Sequence, residues 1–289
     1  MTQPVTVGVD GSPESRAATE WAAGEAVLRE APLRLVNVEE RWPTVPGAMP
    51  PVDPDGYRRW SESFLEEHAG ELRKGRPGLE VSVCRRVGRP AAALAIEADD
   101  AQLLVLGSRG RGRMEQFFVG SVGTATIGLT DTPVVLIRAL DQSAAEELNR
   151  DVVVGVDIHE TSDEILAFAF SEAARRGCGV RAVHGWTLPF ALGYAPQLDH
   201  GVQLEVAEAI AAALAERLRP WQRTYPSVKA EGKALVGAPA EKLLSEAADA
   251  GIVVVGRRIR RSPVGGHLGH VAHAVLHHVT APIAVIAHD

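Results

Sequence analysis

With 289 residues the chain exceeds one ordinary domain and suits two, since domains run to about 100 to 200 residues. Apolar residues make up 46% and aromatics only 5%, so the chain can build a sizeable core from Val, Leu, Ile and Ala and is not of the disordered class. The formal net charge of -7 argues against a broad nucleic-acid footprint, and no run of about 18 or more apolar residues points to a membrane span.

The first strand is predicted at Val5 to Val9 and is closed by Asp10-Gly11-Ser12-Pro13, where Ser12 is placed to cap a helix whose first position is Pro13. Residues 14 to 29, apolar at Ala17, Ala18, Trp21, Ala22 and Leu28, follow as an amphipathic helix. Strand Leu33 to Val38, a Pro-rich connection at 41 to 56, helix 55 to 74 and strand Leu79 to Val87 come next. Helix 90 to 98, strand Leu103 to Leu106, a glycine- and arginine-rich segment, a helix from about Val119 to Leu129 and strand Val134 to Ile137 complete the half. Strands alternating with helices imply βαβ units and a mostly parallel sheet. The N-terminal MTQPVTVGVDGS has neither a basic region nor a cleavage signature, so a cytoplasmic protein is expected, with Cys84 and Cys178 as free thiols.

The unit is then repeated. VTVGVDGSPES at 5 to 15 matches VVVGVDIHETS at 152 to 162, and VGRPAAALAIEADDAQLLVLGSRG at 87 to 110 matches VGAPAEKLLSEAADAGIVVVGRRI at 236 to 259. Gly88 and Gly237, Pro90 and Pro239, Gly107 and Gly256, Gly120 and Gly269, and Pro133 and Pro282 share one constant offset, which chance does not supply. The expected fold is α/β: two tandem Rossmann-like repeats, 1–140 and 151–289, each an open five-stranded, mostly parallel sheet with helices on both faces, joined by a polar link. The segments 41–56 and 187–201 fall at equivalent places and read either as lids or rims of a ligand site or as mobile connections.

Chemistry concentrates in LVLGSRGRGRMEQFFVGS, residues 104 to 121. It begins where the fourth strand ends and finishes where a helix begins, the end of an α/β sheet at which free N–H groups and glycines approach anions. The spacing is neither a Walker A loop nor G-x-G-x-x-G; it is G-x2-G-x9-G-S, carried by Gly107, Gly110, Gly120 and Ser121. Together with V-G-V-D at the first strand and V-G-x-P before it, this order resembles the ATP-binding class of the universal stress protein family, in tandem form. The resemblance implies ATP with Mg2+ in the first repeat, with Gly107, Gly110, Gly120 and Ser121 around the phosphates. The same resemblance implies that Ser108, Arg109, Arg111, Gly112, Arg113 and Val122 touch phosphate as well, that Gly8 and Asp10 line the nucleoside side, and that Val38 lies against adenine. It also implies a cytoplasmic homodimer that acts on a regulatory protein partner in stress, hypoxia or growth arrest. On the residues alone, Asp10 has a second reading as a helix-entry turn residue.

The second repeat keeps Gly155, Asp157, Gly256 and Gly269, but Ile259 replaces the second motif glycine and His270 the serine. A β-branched residue disfavours positive φ, so three readings stay open: weaker ATP binding, another anion held by Arg257, Arg258, Arg260 and Arg261, or scaffold. His267, His270, His273, His277 and His278 cluster near the last helix without a Cys or acidic ligand, and a solvated, pH-sensitive face is expected there rather than a metal. The R-G-R-G-R run is accounted for by the phosphate loop and points to no nucleic acid. No acyl-transfer triad or paired-carboxylate site is present, and no catalytic residue is assigned. The alternatives to a nucleotide-dependent regulator are a slow Mg-dependent ATPase or autophosphorylating protein, and a scaffold with structural nucleotide.

Overall fold

The computed structural model describes residues 2–40, 54–108, 120–138, 150–160, 163–187, 200–259 and 268–289. These fall into two compact units, one in each half of the chain.

In the first unit the order is β1 (Val5–Gly8), α1 (Pro13–Leu28), β2 (Leu33–Glu39), α2 (Pro54–Gly75), β3 (Val81–Val87), α3 (Pro90–Asp99), β4 (Leu103–Ser108), α4 (Ser121–Ile127) and β5 (Val134–Arg138). The strands lie side by side as β3-β2-β1-β4-β5, and every pairing among them is parallel. The central register places Val5 between Leu33 and Leu103. Val5, Val7, Leu33, Leu35, Leu103, Leu104 and Val105 are wholly buried, as continuous apolar strands covered on both faces require. Strand order reverses direction beside β1: the chain moves outward through β2 and β3, then returns to β4 on the other side. A right-handed crossover therefore puts α1 and α2 on one face and α3 and α4 on the other.

Local chemistry starts α1 as the sequence predicts. The Ser12 Oγ accepts from the Ser15 N–H at 3.1 Å, and Pro13 occupies the first turn. On the opposite face, Glu97 of α3 is buried, accepts from Arg34 of β2 at 3.3 Å and from Arg86 of β3 at 2.5 Å, and is approached by the Cys84 thiol at 3.7 Å. These bonds tie α3 to two strands. Cys84 and Cys178 are both free.

The second unit repeats the plan with β6 (Val152–Gly155), α5 (Asp163–Arg176), β7 (Val180–Trp186), α6 (His200–Thr224), β8 (Ala230–Val236), α7 (Pro239–Glu246), β9 (Ile252–Arg258), α8 (His270–His278) and β10 (Ile283–His288). Its strands run β8-β7-β6-β9-β10, all parallel. The helix-to-strand tie recurs: Glu246 of α7 accepts from Arg181 at 3.4 Å and from Lys233 at 2.8 Å, with Lys233 at the place of Cys84. Most of the two predicted rims, and the link between the repeats, lie outside the described residues; the first rim ends at residue 53, because Pro54 already begins α2. Among the described residues no helix is long and apolar enough to cross a membrane.

Candidate functional site

A cleft of about 470 Å3 opens at the carboxyl ends of β1, β2 and β4, where strand order reverses. Gly8, Asp10, Val38, Gly107, Gly120, Ser121 and Val122, all singled out in the sequence, line it together. Ser108 does not: it is 3% exposed at the end of β4, away from the cleft lining. Arg109, Gly110, Arg111, Gly112 and Arg113 lie outside the described residues. The lining combines apolar side chains, Val36, Val38, Leu94 and Leu106, with the polar residues Asp10, Ser12, Ser15 and Ser121.

Two of the motif glycines also have a packing role, besides the approach to an anion that their pattern implies. None of Gly8, Gly107 and Gly120 has a positive φ. A Cβ on Gly107 would stand 2.6 Å from the carbonyl carbon of Glu14, so this glycine lets the first turn of α1 pass against β4. A Cβ on Gly8 would meet Leu106 at 2.7 Å and Leu94 at 3.2 Å, which closes the floor of the cleft. Gly120 alone faces open space, at the N-cap of α4.

Asp10 closes the turn into α1: its Oδ1 accepts from the Ser12 N–H at 3.0 Å and from the Ser12 hydroxyl at 2.6 Å. Withdrawal from water raises its pKa, but hydrogen bonding from the Ser12 hydroxyl and N–H, with Ser15 and the Asp10 backbone, outweighs it, so the carboxyl titrates below its ordinary value. The turn role and the cleft position thus coexist in one residue. With Glu14, it makes the described lining of this cleft acidic.

The second unit holds an equivalent cleft of about 520 Å3. Gly155, Asp157, Gly256 and Gly269 line it, and Asp157 again closes its turn, accepting from the His159 N–H at 2.9 Å. A Cβ on Gly155 would meet Leu243 at 2.9 Å, so the packing role of Gly8 recurs, whereas one on Gly256 would meet the side chains of Ile165 at 2.4 Å and His288 at 2.8 Å rather than a helix backbone. The polar lining has changed: His184, His270, His288, Glu160 and Arg258 stand around this cleft, and Glu160 pairs with Arg258. Ile259, Arg257 and Asp157 are described, while Arg260 and Arg261 lie outside the described residues. Arg257 is buried and does not line the cleft.

Both halves match the universal stress protein family, over residues 1–138 and 149–287. The chain belongs to that family. A universal stress protein of Mycobacterium tuberculosis is 34% identical over 292 residues, spanning 97% of this chain and 96% of its own. One from Mycolicibacterium smegmatis is 33% identical over 287 residues, covering 98% and 96%. Among solved structures, a universal stress protein from Archaeoglobus fulgidus superposes with a TM-score of 0.72 at 18% identity, over 99% of both chains, and so shares the fold.

In this universal stress protein, sequence reasoning missed Leu94 and Pro90, which bring α3 into the first cleft. The V-G-x-P segment was the available signal, because a proline at the first position of α3 fixes where that helix starts above the sheet. It also missed His184 and His288, whose places inside strands disguise them as core positions. Of the five clustered histidines near the last helix, His270 turns to the second cleft, His273 and His277 pack their rings 4.3 Å apart, and His267 lies outside the described residues. Among the described residues no group of three or more His, Cys, Asp or Glu side chains is arranged to hold a metal ion.

Proposed function

We propose that this universal stress protein binds ATP with Mg2+ in the cleft of its first repeat, and that occupancy sets the surface offered to a protein partner in stress, hypoxia or growth arrest. The observation that carries this reading is the mixed lining of that cleft at the point where strand order reverses: apolar Val36, Val38, Leu94 and Leu106 together with Ser121 and a Gly120 beside which a Cβ would meet nothing. An adenine suits the apolar side chains, and Ser121 and Gly120 suit phosphates. Asp10 and Glu14 oppose a bare polyphosphate, so a divalent cation and the arginines 109, 111 and 113 belong to the reading as the compensating charge. The bound Mg2+ would supply that neutralisation, and this chain's residues would hold and orient the nucleotide. A homodimer acting in the cytoplasm completes the proposal.

The test is to purify the protein natively, denature it, and quantify released nucleotide per chain by mass spectrometry and absorbance. About one ATP per chain is the result expected of a working first cleft. No released nucleotide, with no heat from added Mg-ATP in calorimetry, overturns the reading and leaves the fold.

A further inference from the structure

Four positions around the second cleft carry histidine where the first repeat carries something else. His159 stands for Ser12, His184 for Asn37, His270 for Ser121 and His288 for Ala139. The equivalence at His184 is structural as well as sequential: Asn37 Nδ2 donates to the Val9 carbonyl at 2.8 Å, and His184 Nδ1 meets the Val156 carbonyl at 2.9 Å. With Nδ1 donating to that carbonyl, Nε2 is the ring nitrogen which that bond leaves for a ligand. His184 and His288 are 6% and 7% exposed, both line the cleft, and His159 packs edge-on against His184 with ring centroids 6.2 Å apart.

We propose that the second cleft is a proton-coupled nucleotide site, which takes a nucleoside phosphate together with protons on His184, His270 and His288. This deepens the nucleotide reading of the fold and rests on it for the ligand class. The argument is one of charge sign. With the imidazoles neutral, the described lining holds the carboxylates of Asp157 and Glu160 against the guanidinium of Arg258, with Arg260 and Arg261 outside the described residues; three imidazolium groups would make the balance of that described lining positive. The first cleft has no histidine in its described lining.

The surrounding charges do not undo this. Arg217 of α6 donates to the Ile158 carbonyl at 3.2 Å, behind the turn that carries His159. On α7, Lys242 pairs with Glu241 at 3.7 Å, and Lys233 of β8 is held by Glu246. Asp163 and Glu164 in the first turn of α5 are exposed. An imidazolium beside a phosphate stabilises both, so by linkage each proton taken up with the ligand makes affinity rise as pH falls, by up to about tenfold per pH unit.

The test uses the full chain bearing Gly120→Glu, which puts a carboxylate into the phosphate end of the first cleft and leaves the second untouched. ATP is titrated calorimetrically at pH 6 and pH 8 in two buffers of different ionisation enthalpy, with folding confirmed by circular dichroism. The expected result is tighter binding at pH 6, on the order of tenfold or more, with net proton uptake. Adding His270→Ser alone, an exposed position, should weaken that dependence, and His184→Asn with His270→Ser and His288→Ala should abolish it. Histidine side-chain NMR on the unmutated chain provides an independent readout, in which ATP should raise the midpoints of histidine protonation. Absence of ATP binding to the Gly120→Glu chain at pH 6, an affinity that does not change with pH, or an undiminished dependence in the triple variant would each overturn the proposal. Loss of first-cleft binding alone would leave these readouts intact.

Discussion

Gly107 at the end of β4 lies so close to Glu14 in α1 that a Cβ would stand 2.6 Å from the Glu14 carbonyl carbon and 2.8 Å from the Ser15 nitrogen. Those are backbone atoms at the start of a helix, which do not swing aside. Gly107→Ala should therefore destabilise the first repeat by about 1 to 3 kcal/mol through overpacking, measurable as a lower midpoint in urea unfolding. Gly120→Ala meets nothing within 4 Å and should leave stability within about 0.5 kcal/mol. Equal effects at the two glycines would contradict this division of roles.

The turn at Asp10 and Ser12 gives a second expectation. Ser12→Ala removes both the cap on the Ser15 N–H and the hydroxyl donor to Asp10; a loss of about 1 kcal/mol follows. Asp10 titrates below its unfolded value of 3.8 in the folded protein, so its contribution is complete above that pH and is lost as pH falls through the folded value. The variant should accordingly show a shallower acid-side loss of stability below about pH 4 than the parent. Parallel acid-unfolding curves would refute the link.

Glu97 is 4% exposed and accepts from arginines on two strands. Glu97→Ala leaves Arg34 and Arg86 without this carboxylate and opens the seat of α3, the helix that supplies Leu94 to the cleft. A cost of about 1 to 3 kcal/mol is expected, together with weaker ATP binding in calorimetry, since the apolar lining loses its anchor. Unchanged affinity in a folded variant would separate the tie from the cleft.

The apolar lining itself is tested at Val38, part-buried at the mouth of the cleft. Val38→Asp sets a carboxylate against the proposed adenine and should weaken ATP binding by at least about tenfold, near 1.4 kcal/mol. Its stability should change far less than that of Gly107→Ala. Retained affinity would move the base elsewhere.

Both thiols should be sluggish. Burial raises the pKa of Cys84, and the Glu97 carboxylate adds to it; burial raises Cys178 as well. Alkylation by iodoacetamide at pH 7.5, followed by mass spectrometry, should run several-fold slower than for free cysteine and accelerate only at pH values above the ordinary 9.0. Modification of either residue at the free-cysteine rate would contradict that ordering.

Much of this organisation is legible in the sequence because the signals are local. The predicted helix 90 to 98 is observed at Pro90–Asp99, and the strand Val134 to Ile137 at Val134–Arg138, since periodicity and prolines mark both. The helix expected from about Val119 to Leu129 is shorter, Ser121–Ile127, with Gly120 at its N-cap and Gly128 at its C-cap. The lining of the cleft is legible only where a motif marks it. Leu94 is a buried helix residue like any other until the crossover of α3 places it opposite Gly8, and the partner of Gly107 lies 93 positions earlier in the chain at Glu14. Contacts of that kind follow from topology, which periodicity does not encode.

The shared bond made by Asn37 and His184 has a consequence for how a duplicated gene diverges. Each donates to the carbonyl that follows the first strand of its repeat, so the exchange of amide for imidazole leaves the scaffold's hydrogen bond in place while bringing a titratable ring to the cleft. One repeat can therefore change the chemistry of its cleft at this position without giving up the bond that its scaffold makes there.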